Sequence, residues 1–395
     1  MDDTLFTKLQ TYRASLNTTF LEREDIIDGL LTSIVTKQNA FLFGVPGTGK
    51  SELVREVAKG FKGAKFFSYL LSPTTDPSEL FGPVAVSKLL KDEYVRDVEG
   101  YIPSSNITFL DELFRGSSAV LNSLLTILNE RTFNNGKQII HTPIESIVAA
   151  TNSFPQEEAL QAFCDRFLFR PTVTLLQKPT SKRLLDAWAL NIKKRPRVES
   201  TLTFEDLGKL QESTQEIDIS EDFLDSFTQV IDLLSSRGIF ISDRRRVSIL
   251  QFMKGWALIQ GDDAIYPEHL HRTLIHMVYQ NLDDIVVIKE VLNQVVPTVE
   301  KMIASIKRAH NGLLNEYHSL RAADSKSIYD LGQIASKLRK MHQDLTVLSE
   351  KTGELLDTNS CFRITLKARH DLTKLSQTIE SSSQMITLSI NDLAS

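Results

Sequence analysis

The sequence predicts an α/β fold built on a parallel sheet, followed by an all-α region and then by a C-terminal helical hairpin or bundle. In the first 177 residues short apolar runs alternate with helical patterns, which is typical of a parallel sheet wrapped by helices. Strand patterns fade between 178 and 282, where amphipathic helical patterns remain. From 283 to 395 an apolar stripe with steps of three and four residues predicts long packed helices. We therefore expect three domains with these boundaries.

Local patterns predict the elements of the first two domains. Buried strands are predicted at AFLF (40–43), KFFSYLL (65–71), ITFL (107–110) and SIVAAT (146–151). Between them, SELVREVAKGF (51–61) and SAVLNSLLTILNER (118–131) place apolar residues at helical spacing. The second domain has three amphipathic helical patterns, at 180–194, 220–236 and 245–260.

The third domain is predicted from a heptad-like stripe in three segments. Its positions are Leu292, Val295, Val299, Met302, Ile306, Ala309 and Leu313; Leu331, Ile334, Leu338, Met341, Leu345 and Leu348; and Leu372, Leu375, Ile379, Ile386 and Leu393, with Ser382 in the seam. Breaks are expected near 321–327 and 357–362, and Pro297 would kink the first helix or lie near its start. We interpret the stripe as the core of a hairpin or three-helix bundle; the alternative is that part of it binds a partner.

The composition argues against several classes of protein. A net charge of −5 argues against a wholly basic nucleic-acid binder. The two cysteines, Cys164 and Cys361, are too few for a disulfide framework. The polar N-terminus is unlike a signal peptide, and no stretch approaches the roughly 18 apolar residues of a membrane span. We therefore expect a cytoplasmic protein without a membrane span.

The stretch GVPGTGKS (44–51) predicts a nucleotide site. It matches G-x-x-x-x-G-K-[ST] at every fixed position, follows a predicted strand and opens a predicted helix. Glycines let backbone amides wrap phosphates at a helix N-terminus, Lys50 would neutralise the β- and γ-phosphates, and the Ser51 hydroxyl would coordinate Mg²⁺. The predicted nucleotide contacts are Gly44, Val45, Pro46, Gly47, Thr48, Gly49, Lys50, Ser51 and Glu52.

Polar residues after the next two strands predict hydrolysis. ITFL ends in Asp111 and Glu112, of which Asp111 would hold Mg²⁺ through water and Glu112 would polarise the attacking water. Asn152 follows SIVAAT, where it could bind the γ-phosphate or the water. We find no N-K-x-D element for guanine, so ATP is the expected nucleotide.

Residues 20 to about 275 resemble the AAA+ ATPases, and the MoxR-like branch in particular. The resemblance is carried by FLEREDIIDGLL (20–31), GVPGTGKS, FLDELFRGSSAVLNSLLTILNERTF (109–133), AATNSFP (149–155), FCDRFLFR (163–170) and ISDRRR (241–246). The stretch LSPTTDPSELFGP (71–83), continuing to GYIPSSNITFLDE, looks most like the regulatory-ATPase subgroup. Beyond about residue 283 no family pattern is recognised, so partner identity is not carried over.

The resemblance implies further site residues. Asn152 matches sensor 1, and Arg244 matches the sensor 2 arginine of the helical lid, with Arg245 as a register-shifted alternative. The alternative role of Arg244 is a salt bridge on the lid surface. Ile26 and Ile27 would line the adenine pocket. Residues 84–103 match the helix-2 insert. The stretch at 131–143 reads independently as a hairpin and matches the insert before sensor 1. In such ATPases both inserts point toward a central channel.

Arg166 matches the family's arginine finger, which completes the site of a neighbouring subunit and therefore implies a ring or a filament, with a hexamer as the family expectation. The alternative for Arg166 is an ion pair within its own chain, to Asp165 for example. Arg131 is either a second contact across the interface or a solvated residue, Arg170 is interpreted as structural, and Cys164 as a small buried residue.

Three functions are compatible with this sequence. The resemblance implies an ATP-driven remodeller of a protein client, working with an adaptor such as a von Willebrand A-domain protein. A nucleic-acid motor is disfavoured, because the insert at 84–103 mixes basic and acidic residues and the basic cluster KKRPR (193–197) is more typical of solvated surface. A nucleotide-gated scaffold with little turnover is disfavoured by Glu112 and Asn152.

Overall fold

The computed structural model describes residues 2–152, 160, 163–189, 202–296, 299–322, 328–356 and 366–394. They fall into two compact units, one of residues 1–265 with 269–289 and the other of residues 266–268 with 290–395. KKRPR (193–197) and Pro297 lie outside the described residues, and the three predicted domain boundaries stay predictions. Among the described helices, none combines the length and hydropathy that a bilayer crossing would need.

A four-stranded parallel sheet forms the centre of the first unit. The strands are β1 (Ala40–Phe43), β2 (Phe66–Leu70), β3 (Ile107–Asp111) and, after the hairpin of β4 (Thr132–Asn135) and β5 (Gln138–His141), β6 (Ser146–Thr151). Their order is β1-β6-β3-β2. Phe43 lies opposite Thr151 and Leu110 opposite Ala149, so β1, β3 and β6 end at one edge. All four predicted strands and the hairpin are confirmed, and residues that follow these strands converge.

Helices surround this sheet. They are α1 (Asp3–Thr19), α2 (Glu24–Val35), α3 (Lys50–Lys59), α4 (Pro77–Phe81), α5 (Val86–Leu89) and α6 (Ser118–Glu130). The helix α6 begins after Ser117, whose side chain accepts a hydrogen bond from the Val120 amide. Its apolar face buries Leu124 and Ile127 in the same cluster as Phe41 of the sheet. Full burial of each such side chain contributes about 1.5–3 kcal/mol.

The described residues between 178 and 289 are mostly helical. Its longer elements are α7 (Lys178–Ala189), α8 (Phe204–Ser213), α9 (Glu221–Ser236), α10 (Asp243–Gln260) and α11 (His269–Thr273). The prediction of an all-α region is wrong in one detail, because β7 (Asp218–Ile219) and β8 (Ala264–Ile265) form a short parallel pair. The pairing gives hydrogen-bond partners to backbone groups in two loops that lie side by side. Strands of two residues are too short to leave a recognisable pattern in the sequence. The helix α10 packs on α2, and a Cβ at Gly255 would lie 2.3 Å from Thr36 Cγ2.

The second unit contains a three-helix bundle, the second of the two predicted alternatives. After α12 (Asp284–Val295), the bundle helices are α13 (Val299–Ala322), α14 (Ile328–Leu356) and α15 (Leu366–Ala394), and each contacts the other two. The predicted breaks at 321–327 and 357–362 lie, apart from residues 321 and 322, outside the described residues. Their shared core includes the predicted positions Ile306, Leu338, Met341, Leu345, Leu348, Leu372, Leu375, Ile379 and Ile386.

The stripe on α13 departs from the prediction by one residue. Ala309 is exposed, whereas His310 is buried and its Nε2 lies 2.9 Å from Ser382 Oγ of α15. Ile303 and Tyr317 also enter the core, and the Tyr317 hydroxyl lies 2.7 Å from Ser389 Oγ. The sequence pattern favoured the apolar alanine, but a hydrogen-bonded histidine can be buried at the neighbouring position.

Candidate functional site

The loop between β1 and α3 has the backbone that phosphate binding needs. Gly47 and Gly49 have φ of +81° and +78°, a region that favours glycine, and both have open space where a Cβ would stand. Gly44 lies so close to the next segment that a Cβ there would be 2.3 Å from the Val173 carbonyl oxygen. The glycines therefore serve two purposes, conformation at Gly47 and Gly49 and close packing at Gly44.

Lys50 begins α3 and its ammonium group is held at the base of the loop. Its Nζ donates to the carbonyl oxygens of Gly44 at 2.6 Å and Val45 at 3.0 Å, and to Asn152 Oδ1 at 2.9 Å. The residue is only 6% exposed. Burial lowers the pKa of Lys50, and the carboxylates of Asp111 and Glu112 oppose this shift. The cation is thus fixed beside acidic groups that would otherwise repel a phosphate.

Ser51 and Asp111 meet across the sheet edge. The Ser51 hydroxyl donates to Asp111 Oδ2 at 2.6 Å, although 60 residues separate them. Hydroxyl and carboxylate oxygens are suitable Mg²⁺ ligands, and this ion usually binds through one or two carboxylates together with phosphate oxygens and water. Among the described residues, no group of three or more His, Cys, Asp or Glu side chains could hold a metal ion.

Glu112 and Asn152 are joined directly. The Asn152 amide nitrogen donates to Glu112 Oε1, while its amide oxygen accepts from Lys50. Glu112 Oε2 also lies 3.6 Å from Arg115 Nε. One amide therefore links the cation of the loop to the acid that follows β3. The structure brings together Lys50, Ser51, Asp111, Glu112 and Asn152, as the ends of parallel strands predict.

These residues line one cavity of about 680 Å³. It is bounded by Pro46, Gly47, Thr48, Gly49, Lys50, Ser51, Glu52, Arg55, Glu56, Lys59, Asp111, Glu112 and Asn152. Sequence reasoning missed Arg55, Glu56 and Lys59. Helical periodicity could have found Arg55 and Lys59, because they follow Ser51 in steps of four on one face of α3.

Other predicted site residues lie outside this cavity lining. Ile27 is fully buried in α2 and Ile26 is 8% exposed. Arg244 and Arg166 are exposed. The adenine, sensor 2 and arginine-finger assignments therefore stay predictions.

Comparison with known proteins decides the family. A family model described as the MoxR domain in the MoxR-vWA-beta-propeller ternary systems matches residues 7–212, slightly more than half of the chain. The chain belongs to the MoxR family of AAA+ ATPases. The resemblance drawn from the motifs is thus confirmed at family level, and the subgroup stays a prediction.

Individual relatives extend the match beyond that model. An uncharacterized protein of Methanocaldococcus jannaschii is 34% identical over 332 residues, covering 84% of this chain and 85% of its own length. The chaperone MoxR1 of Mycobacterium tuberculosis is 22% identical over 302 residues, covering 70% and 78%. A solved structure from Cytophaga hutchinsonii, described as a candidate ATPase, has a TM-score of 0.59 at 19% identity and covers 74% of this chain and 94% of its own. That likeness confirms the fold.

In this MoxR-family protein the arginines after β6 have different surroundings. Asp165 pairs with Arg245, Nη1 to Oδ1 at 2.6 Å. Arg166 is exposed and its guanidinium has no hydrogen bond or ion pair within the described part of the chain. Arg170 is 4% exposed, donates to the Tyr279 carbonyl and lies 4.8 Å from that tyrosine's ring centroid. Its structural role is confirmed.

Arg131 is half-buried instead of solvated, and its predicted contact across a subunit interface stays a prediction. Its Nη2 donates to the Lys37 carbonyl at 2.9 Å and to Asn39 Oδ1 at 3.0 Å. Burial lowers the pKa of Arg131 to about 10. The side chain therefore joins the end of α6 to the segment before β1 within its own chain. Its donors satisfy oxygen atoms of that segment that would otherwise lack hydrogen-bond partners.

The two inserts of this MoxR-family chain are fastened to each other. The Arg96 amide donates to Asn135 Oδ1 at 2.7 Å, and Asn135 Nδ2 returns a bond to the Arg96 carbonyl at 3.1 Å. A Cβ at Gly136 would lie 2.0 Å from the Tyr94 carbonyl oxygen. Large apolar side chains remain exposed on this pair of inserts, namely Val86, Leu89, Leu90, Tyr94 and Ile139.

Proposed function

We propose that this MoxR-family protein hydrolyses ATP as a homo-oligomeric ring and uses the energy to remodel a protein client. The observation that carries the proposal is the connected set Lys50–Asn152–Glu112 beside the Ser51–Asp111 pair in one cavity. Phosphoryl transfer requires positioned groups and neutralisation of spreading negative charge. A fixed cation, an amide and two carboxylates at one sheet edge suit that requirement.

Each side chain has a proposed role. Loop amides and the N-terminus of α3 hold the phosphates, and Lys50 exchanges loop carbonyls for β- and γ-phosphate oxygens. Ser51 and Asp111 would hold Mg²⁺, Asp111 through water; the ion supplies a second positive charge. Glu112 accepts a hydrogen bond from the attacking water, and Asn152 orients both Glu112 and the γ-phosphate.

Arg166 is proposed to act on the nucleotide of a neighbouring subunit. Its exposure leaves the guanidinium available for a second chain, and Asp165, the alternative partner considered from sequence, is engaged by Arg245. An arginine near the γ-phosphate raises the rate of phosphoryl transfer by about 10³–10⁵. Head-to-tail contacts of this kind close into rings when the rotation between subunits permits, and we propose a hexamer.

The client side of the function is proposed from the inserts and the family. The exposed apolar residues of 84–103 and the β4–β5 hairpin offer surface that a partially unfolded protein can bind. The matching family model is described from systems that also contain vWA and beta-propeller components. We therefore propose a von Willebrand A-domain protein as the adaptor, with the helical second unit available to recruit it.

The test compares two variants that stop the cycle at different points. Glu112→Gln is expected to bind ATP, assemble and turn over slowly, whereas Lys50→Ala should bind ATP weakly. Co-purification with a von Willebrand A-domain protein from the same organism, with and without ATP, then reports coupling. More adaptor bound to Glu112→Gln with ATP than to Lys50→Ala supports the proposal. Equal, ATP-independent binding by both variants, or wild-type hydrolysis by either, would contradict it.

A further inference from the structure

The Arg245 guanidinium binds the backbone on both sides of Arg166. Arg245 of α10 donates from Nη1 to the Asp165 carbonyl at 3.0 Å and from Nη2 to the Phe167 carbonyl at 3.5 Å. The same Nη1 pairs with the Asp165 carboxylate at 2.6 Å. Arg166 itself takes no part in these contacts and its side chain is exposed. Arg245 therefore binds the carbonyls on either side of Arg166 and leaves the Arg166 guanidinium out of the network.

Arg245 also binds a third segment of the chain, at Met277. Arg245 Nε donates to the Met277 carbonyl at 2.8 Å, and that oxygen also accepts from Arg170 Nη2 at 3.3 Å. The Arg245 side chain is 10% exposed, whereas the side chain of its partner Asp165 is 55% exposed. Phe163 and Phe167, which lie on either side of Arg166 in the sequence, are buried and pack on each other with ring centroids 5.9 Å apart. Aromatic packing on one side and Arg245 on the other thus fix the backbone that carries Arg166.

The contacts leave Arg245 little freedom to act on a nucleotide. Its Nε, Nη1 and Nη2 are all engaged, by two carbonyls of the Arg166 segment, one carboxylate and the Met277 carbonyl. To reach a phosphate it would have to break the ion pair with Asp165. Arg244, the preceding residue, is exposed and shares none of these contacts.

We infer that Arg245 is a positioning residue for Arg166: by holding residues 165–167 against the helical region, it sets the finger that one subunit presents to the nucleotide of the next. The inference rests on the proposed function, in which Arg166 acts across the ring. It assigns to Arg245 a role on the neighbour's site instead of the sensor role on its own nucleotide. The orientation of the helical region of one subunit would then influence hydrolysis in another.

The first measurement compares Arg245→Ala with Arg246→Ala in the full chain. Arg246 is the adjacent residue on α10, where it donates to the Ile241 carbonyl at 3.1 Å and pairs with Asp243 at 3.2 Å. Loss of positioning by about 1 Å costs roughly a hundredfold in rate, so kcat of Arg245→Ala should fall by about tenfold to a hundredfold. KM for ATP and ring assembly should stay near wild type, and Arg246→Ala should keep the wild-type kcat.

A double variant distinguishes positioning from direct contact. If Arg245 acts only through Arg166, Arg245→Ala should cause no further loss of kcat in the Arg166→Ala background. A second loss of similar size in that background would overturn the inference, because Arg245 would then act on the reaction by another route.

Subunit mixing tests which nucleotide Arg245 serves. Arg245→Ala subunits have an intact Lys50, and Lys50→Ala subunits have an intact Arg166 held by Arg245. Mixed rings of the two should recover hydrolysis, because some interfaces combine both intact halves. Absence of recovery in rings of confirmed assembly would locate the effect of Arg245 on its own nucleotide and overturn the inference.

Two milder variants cover the case in which Arg245→Ala does not assemble. Asp165→Asn keeps the side-chain shape and removes the charge, and Arg245→Lys cannot hold both carbonyls. Both should lower kcat in the direction of Arg245→Ala, and wild-type kcat in both would overturn the inference. The proposed function fails separately: a wild-type protein that does not hydrolyse ATP refutes it and the inference together, whereas active wild type with additive Arg166 and Arg245 losses refutes the inference alone.

Discussion

Glu112 adopts a left-handed backbone, with φ of 53° and ψ of 45°. That conformation costs a residue other than glycine about 1–2 kcal/mol. Its carboxylate is held by Asn152, which follows β6, and lies near Arg115 within the same turn. Strain of this kind persists where surrounding contacts overdetermine the geometry, and it often accompanies function. In the proposed reaction this backbone aims the carboxylate into the cavity.

Gly44→Ala should destabilise the protein and weaken ATP binding. The added methyl would stand 2.3 Å from a backbone oxygen, so no side-chain rotation relieves the clash and β1 or the segment at Val173 must shift. We expect a loss of about 1–3 kcal/mol in the free energy of unfolding. Chemical denaturation and ATP titration measure the two effects.

The control is Gly208→Ala in α8, where an added Cβ meets nothing within 4 Å. Alanine is favoured over glycine inside a helix by about 0.5–1 kcal/mol, so this variant should be slightly more stable than wild type. Equal stability of Gly44→Ala and Gly208→Ala would show that the close approach at Gly44 carries no cost.

The sequence predicted residues whose chemistry depends on local context. Lys50 and Ser51 follow from the loop motif, and Asp111 and Asn152 from their places after strands. The Asp165–Arg245 pair was not predicted, because it joins residues 80 positions apart and depends on how α10 packs on the rest of the unit. The position of Arg131 was missed for a similar reason, since its carbonyl partners lie before β1.

In the C-terminal helices, too, features set by local sequence spacing were predicted, whereas contacts between helices were not. Steps of three and four residues predicted the core positions of α14 and α15 well. On α13 the pattern led to Ala309, although His310 is the residue that faces α15. Ser382 donates its own hydroxyl proton to the Thr378 carbonyl at 2.9 Å, so it accepts from a His310 that carries its proton on Nε2. Only the contact between helices reveals that match.

Acidification should destabilise the helical bundle through His310. Burial lowers the pKa of His310, so its neutral form is favoured in the folded state. Its contribution is complete above the unfolded pKa of about 6.5 and is lost as pH falls below that value, by at most about 1.4 kcal/mol per pH unit. Thermal unfolding at pH 7.5 and 5.5 measures the effect.

His310→Gln supplies the comparison, because the amide nitrogen can donate to Ser382 but does not titrate. The variant should lose less stability than wild type between these two pH values. Parallel losses in both proteins would mean that His310 does not contribute to the pH dependence.

At the scale of the whole molecule, the proposed active site belongs to two subunits. Lys50, Ser51, Asp111, Glu112 and Asn152 come from one chain and share one cavity. Arg166 lies outside that cavity lining and is exposed. If it completes the neighbour's site, isolated subunits should hydrolyse ATP slowly, and hydrolysis should depend on assembly.

Hydrolysis by mixed rings of Lys50→Ala and Arg166→Ala subunits tests this division most directly. Each variant alone should hydrolyse ATP far more slowly than wild type, because every interface lacks one of the two groups. In an equal random mixture about one quarter of interfaces join an intact Lys50 to an intact Arg166, whatever the ring size, so up to about a quarter of wild-type hydrolysis should return. Mixed rings of confirmed composition that remain inactive would contradict a site shared between subunits.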